Sequence, residues 1–87
     1  MADTKKIIGI YENSMESHVK DIVSQLDSTY SVDVEAQSEF EEVALKHSVN
    51  KFPTFIMFKN GAKLSVKIGK YNINDYKQWV VDYGWHE

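Results

Sequence analysis

The stretch KFPTFIMFKNG, residues 51–61, contains the one proline of the chain, then an apolar run, then an Asn-Gly pair. Phe55–Phe58 and Leu64–Ile68 are two strand-like runs on either side of that pair. Asn-Gly between two apolar runs is the strongest short-range signal for a β-hairpin. We therefore expect the two runs to pair as antiparallel strands, with the turn between Lys59 and Lys63.

Upstream of this hairpin, strand and helix patterns alternate. Residues 7–11 are nearly all apolar, which is typical of a strand buried on both faces. Apolar residues then recur at helical spacing and predict a helix over about residues 14–28. A second strand over Tyr30–Glu35 should lie parallel to the first, because a crossover helix joins them. A second helix should run to about residue 48.

Two helix starts have the spacing of a capping box, in which a polar residue is followed three positions later by a glutamate. One is Asn13 with Glu16, and the other is Ser38 with Glu41. The second helix should then present one apolar face, formed by Phe40, Val43, Ala44 and His47.

After Gly69, which should close the last strand, a terminal helix is expected, with Gly84 at its end. Its apolar side comprises Ile73, Tyr76, Val80 and Tyr83, with Trp79 alongside. The predicted order is β-α-β-α-β-β-α in a single domain, residues 1–87. We expect an α/β fold in which a four-stranded mixed sheet has helices on both faces.

Composition excludes several classes of function. The formal charge of −3 arises from scattered acids and bases, so the basic stripe of a nucleic-acid-binding protein is missing. No apolar segment is long enough to cross a bilayer, and the N-terminal apolar run is too short for a signal peptide, so a cytoplasmic location is expected. The chain has no cysteine, which excludes disulfides, thiolate zinc sites and thiol catalysis.

The element order, together with residues 51–61, resembles the thioredoxin superfamily. Thioredoxins carry a Pro-Thr pair that opens an apolar strand, then phenylalanine, lysine and Asn-Gly, and a later glycine, for which Gly69 stands here. Residues 32–35 and 44–49 also resemble the family. The resemblance covers essentially the whole chain, without the extra N-terminal strand and helix of full-length thioredoxin, and the length is that of a minimal glutaredoxin-like domain.

In that family, a Cys-x-x-Cys motif follows the first strand, at the N-terminus of the next helix. The helix dipole and unpaired amides there stabilise the thiolate of the first cysteine, and the second cysteine resolves the mixed disulfide. The resemblance places these catalytic positions on Ser14 and Ser17. Because a serine has no accessible anion near neutral pH and forms no disulfide, this chain should be inactive in dithiol exchange.

Two explanations of the serines stay open. Serine is favoured at helix N-termini, and a domain that was never redox-active in its recent history would need no cysteine. Cysteine-to-serine is also a nearly isosteric replacement, so the chain could be a thiol oxidoreductase whose cysteines were replaced, by engineering or by descent. Three positions depart from the thioredoxin pattern, where a tryptophan, a buried acid and a lysine are replaced by Asn13, Ile8 and His18.

The resemblance also implies a substrate-binding groove beside Ser14. Pro53 would be in the cis form, Phe52 would offer its backbone to an extended peptide, and Thr54 and Gly69 would support the groove. The alternative is that Pro53 merely starts an edge strand. Implied partners are protein disulfide or dithiol substrates, with a reductase or glutathione for a cysteine-bearing parent. The rival function is a non-catalytic module that holds a peptide or a larger protein.

Other candidate sites are weak. The spacing of His18, His47 and His86 is not that of metal ligands, and neither a metal nor a cofactor is expected. No Ser-His-Asp arrangement follows from the spacing. Gly61 and Gly69 indicate turns and not a phosphate-binding loop.

Overall fold

The computed structural model describes residues 4–29 and 32–84. It contains strands and helices in the predicted order, here numbered along the chain. These are β1 (Lys5–Tyr11), a 3-10 turn (Asn13–Met15), α1 (Glu16–Thr29), β2 (Asp33–Ser38), α2 (Glu42–Lys46), β3 (Thr54–Lys59), β4 (Ala62–Ile68) and α3 (Ile73–Asp82). Within the described ranges, no helix has both the length and the apolar character that crossing a membrane requires.

The strands form one mixed sheet in the order β2-β1-β3-β4. β1 lies parallel to β2 and antiparallel to β3, and β3 lies antiparallel to β4. The predicted four-stranded mixed sheet is therefore confirmed. β1 and β3 are the central strands, which is why their sequences are almost continuously apolar.

Helices cover the two faces of the sheet unequally. α1 and α3 pack on one face, where the larger part of the core includes Ile7, Leu26, Phe55, Tyr76 and Val80. α2 packs on the other face, where the buried cluster is formed by Ile8, Ile10, Ala44 and Ile56. Because α2 has only 5 residues, it shields less of its face than the longer helices shield of theirs.

The hairpin has the turn that its Asn-Gly pair predicts. Asn60 and Gly61 have φ values of 54° and 83°, and a type I′ turn requires positive φ at both central positions. Asn60 also ties the turn to the start of the chain, because its Oδ1 accepts the Thr4 amide at 2.9 Å. The strand register shifts between Met57 and Phe58, so the β3–β4 ladder contains an irregularity of the β-bulge type.

Both predicted capping boxes are wrong. Asn13 lies inside the 3-10 turn, which starts from Glu12 without a side-chain cap. Ser38 is the last residue of β2, where it pairs with Tyr11. The helix α2 starts four residues later, at Glu42, and Glu41 at its N-cap position makes no side-chain cap. At Ser38, strand pairing overrides the local helix-start signal, because it satisfies backbone groups along a whole ladder.

Two side chains assigned to apolar helix faces are instead exposed. Phe40 precedes α2 and is 73% exposed, and Tyr83 follows the last residue of α3 and is 43% exposed. The second strand begins at Asp33, and its predicted start at Tyr30 lies outside the described residues. Gly84 does end the terminal helix, with a φ of 75° and its amide bonded to the Val81 carbonyl.

Gly9, in the middle of β1, lets the ring of Phe55 lie directly on the strand. A Cβ at this position would come within 2.7 Å of the Phe55 ring and 2.9 Å of the Val19 side chain. Both side chains are fully buried, so neither has space to move away. A side chain at residue 9 would therefore overpack the core.

Tyr76 attaches α3 to the end of β4. Its ring is fully buried against Phe55, with 4.5 Å between ring centroids, and its hydroxyl donates to the Gly69 carbonyl at 3.2 Å. Burial raises the pKa of the Tyr76 phenol above its ordinary value. The phenol therefore remains a hydrogen-bond donor in the folded protein.

We expect Gly9→Ala to lower the free energy of unfolding by about 1–3 kcal/mol, because the added methyl group overpacks the core. Urea unfolding followed by circular dichroism measures this. Phe55→Leu is the matched relief variant, and the double variant should lose less stability than the sum of the single changes. Strict additivity would contradict the proposed clash.

We expect Tyr76→Phe to cost about 1 kcal/mol near neutral pH, through loss of the bond to Gly69. A phenol whose folded pKa is raised stabilises the fold fully below about pH 10, where the unfolded phenol starts to titrate, and loses that contribution as the pH rises through the folded pKa. The variant should therefore lose less stability than the wild type above pH 10. Tyr83→Phe, at an exposed phenol, is the control, and equal alkaline losses in the wild type and Tyr76→Phe would contradict the assignment.

Candidate functional site

The sheet register gathers most of the predicted site at one edge. Ile10, near the end of β1, pairs with Thr54 at the start of β3, and Thr54 pairs with Ile68 at the end of β4. The Gly69 amide donates to the Pro53 carbonyl at 3.0 Å, just beyond these pairs. The 3-10 turn that follows β1, the loop before β3 and the end of β4 therefore meet at the same edge.

Ser14 lies in that 3-10 turn and Ser17 in the first turn of α1, and both residues are exposed. The turn is closed by its backbone, with the Met15 amide donating to the Glu12 carbonyl at 2.8 Å. The Ser14 hydroxyl donates to Glu12 Oε1 at 3.4 Å. Ser14 thus interacts with a carboxylate and does not cap the turn.

The acidic character of this turn has a chemical consequence. Glu12 lies beside Ser14, and Glu16 accepts from Lys20 at 2.6 Å, which raises the pKa of Lys20. A helix N-terminus favours an anion, whereas a carboxylate next to it disfavours one. These two effects oppose each other at position 14.

The Phe52–Pro53 peptide bond is cis, the isomer that the resemblance implies. Pro53 is buried, and Phe52 packs against the cluster on the α2 face. Thr54 is also buried, and its Oγ1 donates to the Lys51 carbonyl at 2.5 Å. Thr54 is the first residue of β3, so this hydrogen bond anchors the preceding loop, which contains Phe52 and Pro53, to the strand.

Gly69 has a φ of 114°, a conformation that side-chain-bearing residues rarely adopt. Its amide bonds to Pro53 and its carbonyl to Tyr76, so this one residue connects the loop before β3 to α3. Thr54 and Gly69 are thus placed where they brace the edge. The contribution of Tyr76 was missed by the sequence analysis, which assigned it only to the core, because helical spacing predicts burial and not the partner of a hydroxyl.

The burial of a His18 ring nitrogen is a further feature that the sequence analysis did not predict. His18 lies in the first turns of α1, and its Nε2 is buried without a hydrogen-bond partner among the described residues. His47 packs its ring against Phe58 at 5.5 Å between centroids. His86 lies outside the described residues. Across the part of the chain that the structure describes, no three histidine or acidic side chains come together as a metal site would need.

Comparison with solved structures finds thioredoxins. Thioredoxin f2 of Chlamydomonas reinhardtii matches with a TM-score of 0.78 and 13% identity, over 100% of this chain and 85% of that one. The oxidised thioredoxin of Plasmodium falciparum matches with a TM-score of 0.76 and 20% identity, over 91% and 80% of the two chains. Thioredoxin-2, described as a component of the malaria parasite's protein secretion machinery, matches with 0.72 and 20%, over 94% and 85%.

By sequence, no protein-family model matches the chain, and no curated protein is significantly similar to it. The structural matches nevertheless extend over nearly all of the chain, in agreement with the strand order and the helix placement described above. The chain therefore has a thioredoxin-like fold, as the resemblance of residues 51–61 indicated.

Proposed function

We propose that this domain has the binding edge of a thioredoxin-like or glutaredoxin-like thiol:disulfide oxidoreductase, with Ser14 and Ser17 in the places of the two reactive cysteines. In this form it binds protein segments and does not exchange disulfides. The observation that supports this most directly is the register of β1, β3 and β4, which brings the serine-bearing turn and the Phe52–Pro53 loop to one edge.

Each residue would have a separate role at this edge. The backbone N–H and C=O of Phe52 pair with an extended peptide, as in β-strand addition. Pro53 has no N–H to present, and Thr54 and Gly69 hold its loop in position. In this proposal, the exposed hydroxyls of Ser14 and Ser17 take the places of the sulfur atoms that would attack a substrate disulfide, and they supply no thiolate.

We expect that the wild-type chain does not accelerate the reduction of insulin by dithiothreitol. Ser14→Cys/Ser17→Cys should accelerate it. The thiolate introduced at position 14 attacks an insulin disulfide and releases one insulin thiol, and the thiol at position 17 then displaces the second, leaving a disulfide in the variant that dithiothreitol reduces. Turbidity of the precipitating insulin B chain measures the rate.

The matched control is Ser24→Cys/Asp27→Cys, which has the same spacing on exposed positions of α1, far from its N-terminus. Lowering a thiol pKa from about 8.5 to about 7.5 raises its thiolate fraction at pH 7 about eightfold, so a shift of that size should make the variant at positions 14 and 17 several-fold faster than the control. Equal rates for the two folded variants would contradict an oxidoreductase-type edge. A wild-type rate above the blank would contradict the proposed inactivity.

The second candidate is a binding module without a redox ancestor, and the 3.4 Å contact of Ser14 with Glu12 favours it. A thiolate at position 14 would be destabilised by that carboxylate. In the Ser14→Cys background, Glu12→Gln should therefore lower the pKa of the introduced thiol, as measured by the pH dependence of its alkylation by iodoacetamide. Asp27→Asn, which removes the same charge from an exposed position near the far end of α1, is the control. An unchanged pKa in the Glu12→Gln variant would contradict this view of the turn.

A further inference from the structure

The short helix α2 leaves the β4 side of its sheet face partly open. The opening is a groove of about 250 Å³ between residues 47–51 and the face of β3 and β4. Thr54, Ile56, Val66 and Ile68 line its sheet side, and Lys51 and Lys63 also border it. We call it the β4 groove. Val66 is 38% exposed and Ile68 51%, so the two neighbouring side chains form a partly exposed apolar patch.

The register gives the groove a regular pattern. Lys63, Val66 and Ile68 pair with Phe58, Ile56 and Thr54, which are successive residues on one face of β3. Their spacing along the sheet is therefore about 7 Å per step. The Lys51 carbonyl is bonded to the Thr54 hydroxyl, so Lys51 lies just beyond the Ile68 end. Along the groove, the side chains follow the order Lys63, Val66, Ile68 and Lys51, so two apolar residues lie between two cations.

The charge of the groove is opposite to that of the molecule. His47, Lys51 and Lys63 are the titratable residues that line it, and no acidic side chain of the described residues does so. The whole chain has a formal charge of −3. By contrast, the larger groove of about 370 Å³ on the other side of α2 contains Glu35 and Glu42 beside its lysines, and Lys6 is paired with Glu35 at 3.3 Å.

β4 is also an edge strand, and an edge strand offers its outer backbone groups to another chain. Two copies of β4 would bring several lysines together, because Lys63 and Lys67 lie on the same strand. Like charges on paired strands are unfavourable. This argues against a second copy as the occupant and for a partner of opposite charge.

We propose that the β4 groove binds an extended acidic segment of a partner protein, with two apolar side chains over Val66 and Ile68 and a carboxylate near each of Lys63 and Lys51. Such a segment has acidic, apolar, apolar and acidic residues at alternate positions, because alternate residues of an extended chain face the same side. This site does not involve Ser14 or Ser17, and it extends the binding function beyond the Pro53 edge.

A labelled peptide, Asp-Thr-Val-Thr-Val-Thr-Asp, is the probe, and fluorescence anisotropy with the full chain measures its binding. The same peptide with asparagine or with lysine at both ends provides the comparison. We expect the aspartate peptide to bind about tenfold more tightly than the asparagine peptide, as two screened ion pairs allow, and the lysine peptide to bind most weakly. The net charge of the chain alone predicts the reverse order, so tighter binding of the lysine peptide, or no binding of any peptide, overturns the proposal.

Lys51→Gln/Lys63→Gln should abolish the preference for the aspartate peptide. The control Lys59→Gln/Lys77→Gln removes the same charge from the opposite face of the sheet and should keep the preference, with thermal unfolding checking that both variants fold. An equal loss in the two variants would overturn the assignment to the groove. So would concentration-dependent dimerisation that only Lys51→Gln/Lys63→Gln removes, because the occupant would then be a second copy.

The two proposals fail separately. Ser14→Cys/Ser17→Cys tests the Pro53 edge by disulfide reduction, and Lys51→Gln/Lys63→Gln tests the groove by peptide binding. If Ser14→Cys/Ser17→Cys gains no reductase activity and the wild-type chain still prefers the aspartate peptide, only the proposal for the Pro53 edge fails.

Discussion

The pairing of β1 with β3 is the constraint on which the rest of this structure depends. It places Gly9 opposite Phe55, and the absence of a side chain at residue 9 allows the Phe55 ring to lie against the strand. Phe55 in turn supports Tyr76, which holds α3 on the sheet and binds the carbonyl of Gly69. A single close contact at the centre of the sheet is thereby connected to the sheet edge at which Pro53 and Gly69 lie.

That edge is where we propose that a redox-active relative would hold a reactive thiolate, and this chain has serines there. The first turn after β1 presents Ser14 to solvent, and its nearest side-chain partner described here is the carboxylate of Glu12. The loop before β3 is braced from two directions, by Thr54 on Lys51 and by Gly69 on Pro53. These two hydrogen bonds hold the loop backbone in place, and they do so without any cysteine. A peptide-binding role is therefore compatible with this chain.

The two faces of the sheet show how helix length determines where a partner can bind. α1 and α3 have 14 and 10 residues and bury the larger cluster, whereas α2 has 5. The short helix leaves Val66 and Ile68 partly exposed between lysines, and this combination of apolar surface and one sign of charge distinguishes the β4 groove from ordinary solvated surface. Both proposed binding regions adjoin residues 51–54.

The sequence by itself determined the element order, the hairpin and the sheet class, because apolar periodicity and the Asn-Gly turn are local signals that the tertiary structure reinforces. The Pro-Thr strand start and the later glycine likewise indicated the thioredoxin-like fold, which the structural matches show. The predicted caps at Asn13 and Ser38 were wrong, because a capping pattern is only a weak local preference. Asn13 lies inside the 3-10 turn that leads into α1, and Ser38 pairs with Tyr11 as the last residue of β2. Only the tertiary structure decided that the Tyr76 hydroxyl bonds Gly69, that Ser14 contacts Glu12 and that Lys51 and Lys63 bracket one apolar stripe, because these contacts join residues whose proximity depends on strand register and loop geometry.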